Sequence, residues 1–116
     1  MIDTNPTYDS ELAGAFGPTL LVDLEQDCIL AATTEAGQLF ADPDILGTRF
    51  SRFVANGMDH LFVFIAEVQH RGTAWTRRVM LQTAAGEAQQ CEITARALMR
   101  AGRDMLLIHV LDLKRL

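Results

Sequence analysis

The sequence is short of the features that usually announce a chemistry. It has two cysteines in 116 residues, Cys28 and Cys91. They lie far apart, without the close pairing that zinc ribbons and redox motifs need, and read as small apolar residues in strands. No apolar run approaches the roughly 18 residues of a membrane span. The polar start Met1-Ile2-Asp3-Thr4-Asn5 lacks the basic region of a secretory signal. A cytoplasmic protein that does not enter a membrane is therefore expected. Ten Lys and Arg are scattered among fifteen Asp and Glu, for a formal net charge of −5. A phosphate backbone is held by a concentrated basic surface, so nucleic acid is not an expected partner. Arg71, Arg77 and Arg78 come nearest to a basic patch and read as a solvated rim.

Catalytic constellations are missing as well. Ser10 and Ser51 have no base or oxyanion motif beside them in sequence, and there is no Gly-rich phosphate cradle and no metal-spaced His/Asp cluster. Asp23, Glu25 and Asp27 read as a solvated hairpin and not as a carboxylate pair for acid/base work. No catalytic residue and no metal ligand is assigned, and the chain is not expected to be an enzyme.

What is present fits one ordinary domain. Hydrophobic residues make up 49% and charged residues 22% of the chain, typical of a globular core. A domain of this length buries roughly 65% of the surface its unfolded chain exposes, enough to fold without disulfides or a structural metal.

The order of elements follows from periodicity and punctuation. Residues 8–16 carry Leu12, Ala13, Ala15 and Phe16, with Asp9 and Ser10 available as caps, and read as a short amphipathic helix ended by Gly17-Pro18. Residues 19–24 and 28–32 read as strands joined by the polar turn Glu25-Gln26-Asp27. Beyond them Ala36, Leu39 and Phe40 share a helical face that Thr33 or Thr34 can cap. Asp42-Pro43-Asp44, Ile45-Leu46-Gly47 and Phe50, Phe53 and Val54 make an irregular, loop-rich middle closed by Asn56-Gly57. Residues 58–70 form the longest helix, with Met58, Leu61, Phe62, Ile65 and Val68 in one stripe, Val63 and Phe64 widening it, and Gly72 as the stop. Glu67 and Arg71 stand four apart in the favourable acid-first order, worth roughly 0.2–0.5 kcal/mol.

Three strands follow, at 75–83, 90–98 and 105–111, with turns at Ala84-Ala85-Gly86-Glu87 and Arg100-Ala101-Gly102-Arg103. Cys91, Ile93, Ala95 and Ala97 alternate with Gln90, Glu92, Thr94 and Arg96, one buried face against one wetter face. In the last strand Leu106, Ile108 and Val110 point one way and Met105, Leu107 and Leu111 the other, so it is expected to be central and covered on both sides. A five-stranded antiparallel sheet with short helices on one face and an N-terminal flanking helix is the economical α+β arrangement.

This order resembles that of the PAS fold, and the punctuation is similar too. The first hairpin, the helix at Ala36 to Phe40 and the Leu46-Gly47 pair match the opening half. Gly72-Thr73-Ala74-Trp75 resembles the family's Gly, spacer and Trp before its third strand, Gly86-Glu87 its "DG" hairpin, and Leu111-Asp112-Leu113 the "D-I-T" that leads to an effector. Thr33 stands where many PAS domains carry Asn, and Ala85-Gly86 replaces the "DG" pair, which leaves the subfamily open. The resemblance divides the chain into a leader with flanking helix (1–17), a PAS-like domain (18–113) and the start of a C-terminal linker (114–116).

It implies a non-catalytic regulatory module of a bacterial signal-transduction protein, acting as a homodimer or by docking a partner protein. An attached C-terminal kinase, cyclic-dinucleotide or transcription-activator module is also implied. Leu12, Phe16, Met105, Leu107 and Leu111 are the candidate interface residues. The alternative is a small-molecule sensor, with Phe40, Phe50, Phe53, Phe62 and Ile65 either lining a cavity or filling the core. Haem is the cofactor such a cavity would take, with His60 or His70 as candidate axial ligand; otherwise no cofactor is expected. His60 beside Asp59 and His70 near the helix C-terminus also read as ordinary surface residues. Cys28 and Cys91 lack the polar helix motif of a light-oxygen-voltage flavin site. Trp75, the single tryptophan, reads as a core residue.

Overall fold

The computed structural model describes residues 9–115. Their elements run α1 (Asp9–Leu12), β1 (Thr19–Asp23), β2 (Cys28–Ala32), α2 (Thr34–Leu39), a 3₁₀ helix (Phe50–Phe53), α3 (Asp59–Arg71), β3 (Thr73–Thr76), β4 (Leu81–Gln82), β5 (Ala88–Gln89), β6 (Cys91–Arg100), β7 (Arg103–Asp112) and a closing 3₁₀ turn (Leu113–Arg115). Five strands form one antiparallel sheet in the order β2-β1-β7-β6-β3, and β4 with β5 form a separate two-stranded ribbon. The α+β class and the central place of β7 agree with the sequence.

The chain between β2 and β3 covers one face of this sheet. Ala36 and Leu39 of α2, Phe50 and Phe53, and Leu61, Phe64 and Val68 of α3 share a core with Leu20, Val22, Ile29, Ile93, Leu106, Ile108 and Val110 of the strands. Local chemistry fixes the joints. The Thr33 hydroxyl accepts from the amide of Ala36, capping α2, and from the amide of Thr19, while donating to the carbonyl of Gly17. One side chain thus ties a helix N-terminus to the start of β1. Gly72, at φ +88°, ends α3 in a conformation that costs other residues strain. Glu67 and Arg71 form the expected ion pair, 3.2 Å apart and exposed.

Several expectations are corrected. Among the described residues the N-terminal helix covers Asp9–Leu12 and ends there instead of at Phe16, since Gly14 takes φ +79° and the chain turns away; Tyr8 lies outside the described residues. On α3, Phe64 is buried, whereas Phe62 and Val63 are exposed, so the core stripe is Leu61, Phe64 and Val68.

The strand expected at 75–83 is broken in two. Asn56 donates to the carbonyl of Arg78 at 2.8 Å and accepts from the amide of Met80 at 3.1 Å, while Ala55 donates to the carbonyl of Met80 at 2.7 Å. These bonds pull the chain off the sheet edge toward the segment after the 3₁₀ helix, and Val54 bridges Leu81 there. Trp75 is 63% exposed and not a core residue, since its neighbour Ala74 takes the inward position on β3.

The outer face of the sheet has a smaller cluster. Leu21, Ala31 and Met105 are buried there, with Leu12, Leu30, Leu98 and Leu107 packed against them. β7 is therefore covered fully on its inner face and in part on its outer one, where Leu111 is 37% exposed.

Candidate functional site

An apolar cavity of about 310 Å³ lies between the inner sheet face and α3. Val22 and Leu24, Ile93, Leu106 and Ile108 form its floor. Leu61, Phe62, Phe64 and Ile65 come from the N-terminal half of α3, Met58 from the position just before it, and Phe50 and Ser51 from the 3₁₀ helix. The floor is built by strand alternation: β1, β6 and β7 each turn every second side chain inward. The wall is built by the three- and four-residue spacing of α3.

Among the described residues Asp27 and Ser51 are its two polar lining residues. The Asp27 carboxylate accepts from the amide of Ser51 at 3.2 Å and from its hydroxyl in a short bond. This joins the turn between β1 and β2 to the first turn of the 3₁₀ helix. Asp27 sits at φ +52°, a left-handed conformation that Asp and Asn tolerate better than most residues.

The other hairpin carboxylates behave differently. Asp23 is 1% exposed, which corrects the expectation of a solvated hairpin. One of its oxygens accepts from the amides of Glu25 and Gln26, and the other faces the Arg103 guanidinium at 3.2 Å. That last contact is an ion pair without hydrogen-bond alignment. Asp23 thus shapes the turn that presents Asp27.

Of the residues singled out for a cavity, Phe50, Phe62 and Ile65 line it. Phe40 and Phe53 do not; their rings pack on each other with centroids 4.7 Å apart and fill the core. His60 and His70 are exposed on α3, and neither lines the cavity. His109 stands on the outer face, with Nδ1 3.2 Å from the Thr19 hydroxyl. Leu12 and Leu107 pack against the outer cluster, Met105 is buried in it, and Phe16 is 86% exposed.

Cys91 lies buried on the inner face of β6, and burial, with the Asp112 carboxylate adding to it, pushes its thiol up to about 11. Such a thiol is inert at neutral pH. Among the described residues no group of three or more His, Cys, Asp or Glu could hold a metal ion, and no helix is long and apolar enough to cross a membrane.

Sequence reasoning missed Asp27, Ser51, Met58, Leu61 and Phe64 as lining residues. The helical period placed Met58 and Leu61 on an inward stripe, which could have found them. Nothing local pairs Asp27 with Ser51, 24 residues away.

No protein-family model matches the sequence, and no curated protein is similar to it. Solved structures are similar in shape. A PAS domain of a two-component sensor histidine kinase aligns with a TM-score of 0.71 at 9% identity, covering 91% of this chain and 94% of that one. The PAS domain of nitrogen regulation protein NR(II) from Vibrio parahaemolyticus gives 0.69 at 17% identity, covering 95% and 100%. The PAS domain of a LuxR-family transcriptional regulator from Burkholderia thailandensis, in complex with ethanol, gives 0.62 at 21% identity, covering 90% and 96%. These alignments run over nearly the full length of both partners. The chain has a PAS-like fold.

Proposed function

We propose that this chain is a non-catalytic sensory module of a signalling protein, and that it takes up a small molecule in the cavity between α3 and the sheet. The observation that carries the reading is the cavity itself: about 310 Å³, walled by aliphatic and aromatic side chains, with its two polar groups together on one side. Ligand sites are concave, mostly apolar and oriented by few polar groups, at roughly 300–1,000 Å³. This one is at the small end. The ethanol-bound Burkholderia thailandensis domain supports uptake of small molecules by this fold, and the kinase and regulator neighbours support an attached output. Among the described residues Ser51 is the one serine at the cavity, and it donates to the Asp27 carboxylate with no histidine lining the site, which supports a binding role over nucleophilic catalysis.

Signal transfer follows from connectivity. Leu106 and Ile108 line the cavity and belong to β7, which runs on to Asp112. A ligand preferring one position of α3 against β7 biases the strand that leaves the domain, by no more than its difference in affinity for the two positions.

Native mass spectrometry and thermal melting of the purified chain test the reading. A retained small-molecule mass, or a stabilising ligand from a metabolite panel, is expected. A ligand at one hundred times its Kd stabilises by about 2.7 kcal/mol, a rise of several degrees in Tm. A bare chain that no compound stabilises would overturn it.

The outer face favours a second reading, docking of a partner or a second copy. Phe16 and Leu111 are large exposed apolar residues beside the outer cluster of Leu21, Ala31 and Met105. Sedimentation across a concentration series would show a dimer if copies pair there; a monomer at every concentration would rule out self-association.

A further inference from the structure

We infer that the cavity selects neutral or cationic amphiphiles, molecules with a compact alkyl or aryl body and a single alcohol or amine head, and rejects carboxylates. The inference rests on the cavity being the ligand site, as proposed above.

The charge of the lining decides it. Among the described residues no Lys, Arg or His lines the cavity, and the one ionisable group there is Asp27. An anion taken in would lose its water, find no cation and face a carboxylate; each effect opposes binding, because a buried charge is tolerated only when paired. A sugar or nucleotide would bring many polar groups to walls such as Leu61, Ile65, Ile93 and Leu106, which offer no partners.

A single donor head has one place to go. The Asp27 carboxylate already receives the Ser51 amide and hydroxyl. Two carboxylate oxygens have about four acceptor sites, so capacity remains for an O–H or N–H from a ligand. An ammonium head gains electrostatic attraction to the carboxylate besides, beside walls that are mostly apolar.

The test compares octylamine, octanol and octanoate, which share a body and differ in the head, by calorimetric titration of the 116-residue chain. Octylamine is expected to bind tightest, octanol next, and octanoate roughly tenfold to a hundredfold more weakly than the amine. Asp27→Asn suits the left-handed backbone and keeps an acceptor for Ser51. It is expected to weaken the amine, strengthen octanoate and leave octanol nearly unchanged. Ser51→Ala, which removes the hydroxyl bond to the carboxylate and keeps the amide one, is expected to retain the preference for the amine. It serves as the second variant should Asp27→Asn melt early.

The failures are separable. Octanoate binding as tightly as the amine would overturn the selectivity and leave the cavity reading standing. An amine preference that survives in a folded Asp27→Asn chain, or is lost in Ser51→Ala, would overturn the role of Asp27. Three probes that all fail to bind would overturn the cavity reading and this inference with it.

Discussion

The two faces of the sheet are built from similar residues and have different surroundings. Along β7 the inward Leu106, Ile108 and Val110 are each 1% exposed, under α3 and the 3₁₀ helix. On the outward side Met105 is buried beneath the α1 turn, Leu107 is half-buried, and His109 and Leu111 are open. The alternation fixes that two faces exist. Which face is sealed depends on elements elsewhere in the chain, thirteen residues of α3 on one side and, among the described residues, Asp9–Leu12 of α1 on the other.

The largest test of this contrast uses a phenylalanine sealed under the inner layer. Phe53 is fully buried against Phe40, so Phe53→Ala is expected to cost about 3–5 kcal/mol, most of the margin of a small domain. Urea unfolding measures it. A cost below about 1 kcal/mol would mean that the inner layer relaxes and is no rigid wall for the cavity.

Cys91 sharpens the contrast through pH. Its thiol is raised from 9.0 to about 11 by burial on the inner face and by Asp112. Below about pH 9 it is neutral in the folded and unfolded chains alike, and the stability is complete. Above that the unfolded chain loses the proton first, so stability falls by about 1.4 kcal/mol per pH unit until the folded thiol also ionises. The loss of about 2–3 kcal/mol between pH 9 and 11 should vanish in Cys91→Ala, as read by unfolding at each pH. In native buffer the half-buried Cys28 should react with a thiol reagent faster than Cys91.

These tests also mark where the sequence was legible. The hairpin of β1 and β2, the span of α3 with its Gly72 stop and the pairing of β6 with β7 rest on local periodicity and turn chemistry, and all could be read. The break after Thr76 could not, because Asn56, more than twenty residues upstream, makes it. The cavity is legible only in part. Phe50 lines it while Phe40 and Phe53, equally aromatic, stack on each other, and that difference arises from how the segments meet.

Trp75 belongs to the open side of the comparison. At 63% exposure it has few contacts to lose, so Trp75→Ala is expected to cost below about 1 kcal/mol, against the about 3–5 kcal/mol of a buried tryptophan. The wild-type emission should lie at the wavelength of a solvated indole and shift little on unfolding. A blue-shifted native emission would show that something covers this edge in solution.

The smallest expected effect completes the pair that Phe53 opens. Phe16, 86% exposed, follows the turn whose Leu12 packs on the outer cluster, and precedes Gly17, beside which His109 stands. Phe16→Ala removes a ring of the same size as Phe53, yet the ring has little to pack against in the single chain. The unfolding free energy of the monomer should therefore change by no more than about 0.5 kcal/mol. If copies or partners dock on the outer face, the same substitution should weaken that association while leaving monomer stability intact, because a large apolar side chain in an interface is buried only in the complex. Sedimentation and unfolding on one sample separate the two quantities. A cost of several kcal/mol to the monomer would mean that Phe16 is covered by its own chain in solution, and the outer face would then be as closed as the inner one.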